Sequence, residues 1–386
     1  MVVTHWLRGR SHGHNERVSS KVRLVGPTEV VGQVERLLAG ADRVVWPVDQ
    51  TQEVAETAIE SIPEGFCGAV VATSGSTGTP KVVLLSRKAL LSAAEAVEDR
   101  LGGPGEWVNP LPVRYVAGLM TVVRAVVGGQ SYISISPQLV ELPRPKRRAY
   151  LSLVPAQLHR ALSDQETRQK LTDYAAVLIG GGPLDAALRH QAEAAGIQIV
   201  ATYGMSETCG GVIYDGLPLD PVSVRLIDES GQDGDEGRIG LAGPSLFDGY
   251  AGDPVATAAV LRDGWFWTSD RGRLNNSRLE VLGRLDEVIV TGGSNVDLAL
   301  VQRLLDQWYP QQVACFAVPD PVWGALLLVA SAAPGLQEIQ DRLTDQLGPP
   351  AKPRGWLTMA ALPRTSSGKI DRTRLAEIWR QHGERT

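Results

Sequence analysis

Between residues 149 and 204 short apolar runs alternate with amphipathic ones, and this alternation limits the fold more than any other feature of the chain. "AYLSLVP", "AAVLIGG" and "IQIVATYG" are strand-length runs of apolar and β-branched residues. Between them, "AQLHRALSDQETRQKL" and "DAALRHQAEAAG" carry their apolar residues at helical spacing. Strand–helix–strand units of this kind build a largely parallel sheet covered by helices, so an α/β fold is expected. "RVVWPV" (43–48), "CGAVVATS" (67–74) and "KVVLLS" (81–86) add further strands, and Ser86 is positioned to cap the helix that follows. From Pro218 the texture changes to short strands with Gly/Asp turns, which predicts a small β-rich subdomain closing near residue 283. The last hundred or so residues mix short strands with helical "LALVQRLLDQW" and "LQEIQDRLTDQL", which predicts an α+β domain. At 386 residues the chain has length enough for more than one domain.

Composition excludes some functions. A net charge of −5 and a pI near 5.8 argue against a nucleic-acid platform. The longest apolar run, "ALLLVASAA" at 325–333, is about half of what a bilayer requires, so no membrane span is expected. The N-terminal segment lacks the apolar core of a secretory signal, and residues 1–20 read as a loosely ordered arm. Cys67, Cys209 and Cys315 are odd in number and form no CxxC pair, which fits a reducing, cytoplasmic setting. The oligomeric state is not legible, and a homodimer stays open.

"ATSGSTGTPKVVLLS" (72–86) places glycines, hydroxyls and one lysine between two β-branched runs. Glycine-rich loops after strands cradle phosphate because backbone N–H groups can approach an anion closely. A Walker loop does not fit: Thr79 and Pro80 separate Gly78 from Lys81, and a strand follows where a helix would begin. Taken alone, the segment is a hairpin loop.

The order Ser-Gly-Ser-Thr-Gly-Thr-Pro-Lys, however, resembles the phosphate loop of the adenylate-forming superfamily, which contains acyl-CoA synthetases, luciferases and nonribosomal adenylation domains. Four more segments resemble that superfamily in the same order: "IGGGPL" (179–184) with "TYGMSET" (202–208), "DGWFWTSD" (263–270), "GRLDEVIVTGG" (283–293) and "PRTSSGKIDR" (363–372). The resemblance implies an N-terminal ATP- and acyl-binding domain over 1–285 and a mobile C-terminal domain over 286–386. It implies that Thr73, Ser74, Gly75, Ser76, Thr77, Gly78 and Lys81 grip the pyrophosphate of ATP. Gly181, Gly182, Tyr203, Gly204 and Ser206 would line the nucleotide site, and Glu207 would hold Mg²⁺. Asp270, at the end of an aromatic strand, and Arg284 would contact ribose, and Asp286 would be the hinge. Gly292 and Gly293 would border the CoA path, and Lys369 would be the catalytic lysine. Without the resemblance these charged residues read as turn formers, surface pairs or solvated loop groups.

The implied chemistry is consistent. Attack of a carboxylate on the α-phosphate builds charge on phosphoryl oxygens, which calls for fixed donors and cations. A thiol then attacks the acyl-adenylate, with the C-terminal domain expected to swing about Asp286 between the two steps.

Three features narrow the resemblance to the short o-succinylbenzoate–CoA ligases of actinobacterial menaquinone biosynthesis. The phosphate loop begins early, near residue 73. "NPLPVRYVAGLMTVVRAVVGG" (109–129) resembles their acyl-pocket segment, with Tyr115 and Arg124 as the substrate pair beside Gly204 and Met205. "YGMSETCGGVIYDGLPLD" resembles the same subgroup throughout. Of the substrate's two carboxylates only the aliphatic one is activated, so the aromatic one needs a buried partner, and Arg124 interrupts an apolar helical run. The other reading of Arg124 is the solvent face of an amphipathic helix. Val82 where Gly is usual, Ala117 where Ser is frequent, and Asp297 after the junction segment depart from the pattern. A CoA ligase for another aryl or acyl acid, an enzyme loading a separate carrier protein, and a non-catalytic nucleotide sensor remain as alternatives.

Overall fold

The computed structural model describes residues 21–49, 54–73, 81–228, 230–309, 312–331, 337–365, 370–382 and 384–385. The chain divides into two compact units, one running to Arg225 and including Gly240–Trp267, the other made of Leu226–Ile239 and everything from Thr268 onward.

The first unit holds two sheets. One has seven strands in the order Leu217–Pro218, Gly210–Tyr214, Ile199–Met205, Ala176–Ile179, Ala149–Leu153, Glu106–Asn109 and Tyr132–Ser134. From Ile199–Met205 onward every pairing is parallel, as the strand–helix alternation predicts. Only the hairpin Ile199–Tyr214 and its short neighbour run antiparallel. The other sheet orders Val22–Val25, Val44–Pro47, Gly68–Thr73, Lys81–Ser86 and Gly249–Tyr250. Helices Arg87–Leu101 and Val116–Val127 contribute to the apolar clusters beneath both sheets. Ser86 caps the first of them, its hydroxyl accepting the Ala89 N–H at 3.4 Å. The second is buried at every position from Gly118 to Ala125, as an all-round apolar helix must be.

The second unit contains the hairpin through Arg284 and a six-stranded sheet with Val288–Thr291, Ser294–Asp297, Val313–Asp320, Gly324–Ser331, Gly355–Thr358 and Glu384–Arg385. Helix Leu298–Trp308 packs on it through Val301 and Leu305. The predicted α+β character of the C-terminal part is observed.

The β-rich stretch after Pro218 is observed as expected: Ser223–Ile227, Glu236–Ala242, Leu261–Arg262, Trp265–Asn275 and Arg278–Arg284 form a five-stranded sheet of their own that closes at Arg284. Two expectations need revision. The helical run 156–171 is two helices, Pro155–Ser163 and Gln165–Leu171, because Asp164 is extended and caps the second through the Thr167 N–H at 2.8 Å. Asp270 does not end a strand: Trp265–Asn275 continues five residues beyond it, its Arg/Leu alternation matching a half-buried strand. Asp286 lies inside the second unit, in the turn Leu285–Glu287.

Candidate active site

Thr73 and Lys81 are cross-strand partners in the antiparallel pair Gly68–Thr73 and Lys81–Ser86. Ser74, Gly75, Ser76, Thr77 and Gly78 lie outside the described residues. Val82 sits in a regular strand opposite Ala72, so the site of the usual glycine needs no special backbone here.

The two segments expected to line the nucleotide site are adjacent. Ile179 pairs with Ala201, and the Thr202 hydroxyl donates to the Ile179 carbonyl at 3.3 Å. Gly181 adopts φ +77°, a conformation open to glycine at little cost, and Gly182 is exposed beside it. Tyr203, Gly204, Met205 and Ser206 are half-buried although their strand is interior to the sheet, so this stretch opens to solvent. Gly204 faces Gly211 across the hairpin, and a β-carbon there would run into the Gly210 carbonyl. The turn is braced by Thr208, whose buried hydroxyl accepts the Met205 N–H at 3.0 Å and donates to the Gly210 carbonyl at 2.7 Å.

That brace presents Glu207 on the single turn Ser206–Thr208. The Tyr250 hydroxyl donates to Glu207 Oε1 at 2.7 Å, and the Phe247 N–H donates to the Glu207 carbonyl at 2.8 Å. Glu207 Oε2 makes no hydrogen bond among the described residues. The Lys81 ammonium stands 4.5 Å from the centre of the Tyr250 ring. No group of three or more His, Cys, Asp or Glu among the described residues could hold a metal by itself. One carboxylate with an open oxygen is what Mg²⁺ needs when phosphates supply other ligands.

Arg124 is not on a solvent face; it is 4% exposed. Its guanidinium lies 5.1 Å from the Trp107 ring centre, and Nη2 is 3.8 Å from where a β-carbon would stand at Gly210, the cross-strand partner of Met205. Its Nε has no hydrogen-bond partner, and no described carboxylate pairs with it. Trp107 Nε1 and the Tyr214 hydroxyl are likewise buried without partners. Burial pushes the Tyr214 phenol above its usual range and Arg124 opposes that shift; burial likewise raises the Cys209 thiol against the same charge. The cation–π contact offsets only part of the desolvation of an arginine. Tyr115 instead occupies the N-cap position of the helix without a side-chain capping bond, its ring under Arg114 at 4.5 Å. Nine residues span about 13 Å of helix, so Tyr115 and Arg124 serve different ends of it.

In the second unit, Asp270 and Arg284 are direct cross-strand partners with 3.7 Å between carboxylate and guanidinium. Arg284 also makes a bidentate pair with Asp286, at 2.7 and 2.6 Å. The Asp286 hydrogen bond holds the Arg284 pKa above its ordinary value, with Asp270 adding to the effect. Gly292 and Gly293, at φ +58° and +80°, form the two-residue turn between Val288–Thr291 and Ser294–Asp297. The atypical Asp297 is a helix cap, accepting the Ala299 and Leu300 N–H groups at 2.8 and 3.2 Å. Lys369 lies outside the described residues. Sequence reading passed over Tyr250, Thr208, Trp107 and Tyr214; of these Thr208 and Tyr214 stood inside a quoted motif.

An α/β unit of two sheets presenting such a carboxylate turn, followed by an α+β unit, defines an adenylate-forming enzyme. The chain matches the AMP-binding enzyme family over residues 16–251 and the AMP-binding enzyme C-terminal domain over 310–369, and it belongs to that family. It is 38% identical to a protein of Mycobacterium tuberculosis H37Rv named a probable 2-succinylbenzoate–CoA ligase, over 89% of this chain and 93% of that one. It is 31% identical to the 2-succinylbenzoate–CoA ligase of Enterococcus faecalis, over 79% of this chain and 68% of that one. Among solved structures the same fold is seen in o-succinylbenzoate CoA synthetase of Bacillus subtilis in complex with its acyl-adenylate intermediate. The TM-score is 0.72 at 23% identity, covering 90% of this chain and 80% of that one. ATP-bound MatB of Rhodopseudomonas palustris gives a TM-score of 0.73 at 23% identity, covering 96% and 82%. No helix among the described residues is long and apolar enough to cross a membrane.

Proposed function

We propose that this chain is an AMP-forming 2-succinylbenzoate–CoA ligase: with ATP it converts a carboxylate to an acyl-adenylate, then transfers the acyl group to CoA. The observation that carries the choice of acid is Arg124, a buried guanidinium without a carboxylate partner, beside the hairpin that bears Met205. Leaving such a charge unmatched is costly, and a second carboxylate on the substrate would relieve it. Gly204 and Met205 would line the acyl path, with Tyr115 toward the other end of the helix.

Lys81 and Thr73, with the hydroxyls and amides of 74–78, would hold the ATP phosphates. Gly181, Gly182, Tyr203 and Ser206 would frame the base, and Asp270 and Arg284 would meet the ribose hydroxyls. Glu207 would hold Mg²⁺, which when bound neutralises the phosphates. The substrate carboxylate attacks the α-phosphorus, the bond to pyrophosphate breaks, and Lys369 would stabilise the charge that develops on the phosphoryl oxygens. The CoA thiolate then attacks the acyl carbonyl and AMP leaves. Asp286 would be the hinge between these half-reactions, and the Gly292–Gly293 turn would border the thiol's path.

A panel of mono- and dicarboxylic aryl acids incubated with ATP and CoA, with the thioesters read by mass spectrometry, tests the proposal. 2-Succinylbenzoyl-CoA with release of AMP and pyrophosphate is expected. Preference for a monoacid, or acylation only of a carrier-protein thiol, would overturn it.

A further inference from the structure

Glu207 and Lys81 come from segments 126 residues apart, and one side chain touches both. We propose that Tyr250 is a positioning residue of the adenylation site: its hydroxyl fixes the rotamer of Glu207, and its ring fixes the ammonium of Lys81. The inference rests on Glu207 acting toward the metal and Lys81 toward the phosphates.

Several observations argue for this role. The strand Gly249–Tyr250 adds antiparallel to Lys81–Ser86, with Tyr250 opposite Val83. Lys81 is two residues from Val83 and so leaves the sheet on the same face as the tyrosine ring, within diagonal reach. Tyr250 is itself held: its N–H donates to the Thr257 hydroxyl at 2.9 Å, and its ring packs edge-on against Phe247 at 5.0 Å. Phe247 in turn clamps the backbone of Glu207. Tyr250 is 7% exposed, and its hydroxyl donates to Glu207 Oε1 at 2.7 Å, leaving Oε2 without a hydrogen bond among the described residues. A free Glu side chain on a one-turn helix would sample several rotamers; a tied one presents a single oxygen. Supporting groups of this kind change metal affinity by roughly 10- to 100-fold when removed.

The two contacts can be separated. Tyr250→Phe deletes the hydroxyl and keeps the ring against Lys81; Tyr250→Leu removes both. ATP binding should be measured by calorimetry on the whole protein with and without Mg²⁺, together with direct Mn²⁺ binding by electron paramagnetic resonance in the presence of ATP. For Tyr250→Phe we expect Mn²⁺ affinity to fall roughly tenfold or more, with metal-free ATP affinity unchanged. For Tyr250→Leu metal-free ATP affinity should fall as well, as it should in Lys81→Met. Glu207→Gln should weaken Mn²⁺ binding, and adding Tyr250→Phe to it should cost nothing more, because the two act as a unit. If Glu207→Gln weakens Mn²⁺ binding while Tyr250→Phe does not, or if their effects add, Tyr250 is only a packing residue and the inference is wrong. If Glu207→Gln itself leaves Mn²⁺ binding unmoved, the assignment of Glu207 fails and takes the inference with it.

Discussion

Asp270 and Arg284 stand opposite each other in one hairpin, yet Arg284 turns its closer contacts on Asp286. The guanidinium meets Asp286 with two short hydrogen bonds and approaches Asp270 only to 3.7 Å. Asp270 is 8% exposed and keeps this cation beside its carboxylate. A carboxylate there would accept from the ribose hydroxyls in the proposed nucleotide site.

Replacing Asp270 by Asn keeps the shape and turns a charged acceptor into a neutral one that also donates. Hydrogen bonds to charged groups contribute about 1.5–3 kcal/mol, so AMP binding should weaken by that amount. The more telling readout is 2′,3′-dideoxy-ATP, which the wild type should bind far less well than ATP. If Asp270→Asn retains that discrimination, Asp270 does not read the ribose.

Lys369 belongs by resemblance to the adenylation step alone. Lys369→Ala should slow acyl-adenylate formation by roughly 10²–10³, comparable to losing one preorganised donor. Thioester formation from supplied acyl-adenylate should survive far better. Measuring the half-reactions separately decides the matter, because equal loss in both would point to a folding defect.

The parallel sheet was legible because each strand–helix pair is local: Ala149–Leu153, Ala176–Ile179 and Ile199–Met205 are bounded by their own turn and cap residues. The segments 179–184 and 202–208 stood out for the same reason, since they lie at the ends of those strands. What stayed hidden was long-range. Tyr250 reaches Glu207 across 43 residues through a two-residue strand, too short to carry a periodic signal. Asp270 was misread as a strand end because Asp commonly marks turns, whereas the pairing with Arg278–Arg284 carries the strand onward. Burial of Arg124 could have been inferred more firmly, since an apolar stripe running all round a helix leaves no solvent face. Asp297 looked anomalous as a motif residue and is ordinary as an N-cap.

Glu98 makes a prediction about pH. Its Oε1 is buried without a hydrogen-bond partner, against Gly128 at the C-terminal end of Val116–Val127. Burial first, then Asp99 and Glu95, hold its carboxyl above the ordinary range. In the unfolded chain it ionises first, so the folded state binds more protons between the two pKa values. Its contribution to stability therefore declines as pH rises above about 4.3, the ordinary Glu value, and stays low beyond the folded pKa. Glu98→Gln should match wild type near the acid end and equal or exceed it in thermal stability at about pH 8. A deficit of the same size across the whole range would mean that the charge is not what matters.

Arg124 offers the strongest test of substrate identity. The guanidinium sits in an apolar layer with Trp107 against it and no carboxylate among the described residues to balance it. If the substrate supplies that carboxylate, Arg124→Leu leaves a desolvated anion without a partner in the complex. The cost should be on the order of 2–5 kcal/mol in kcat/KM for 2-succinylbenzoate, while ATP affinity stays near wild type. In the free protein the same change removes an unpaired buried charge, so thermal stability should hold or rise. An analogue lacking the aromatic carboxylate should be a poor substrate for the wild type yet lose little further in the variant. The two acids and two proteins form a cycle whose coupling term isolates the ion pair from general effects on the helix. A variant that is destabilised, and that still distinguishes the two acids as well as the wild type does, would show Arg124 to be a structural cation and would remove the main physical argument for a dicarboxylate substrate.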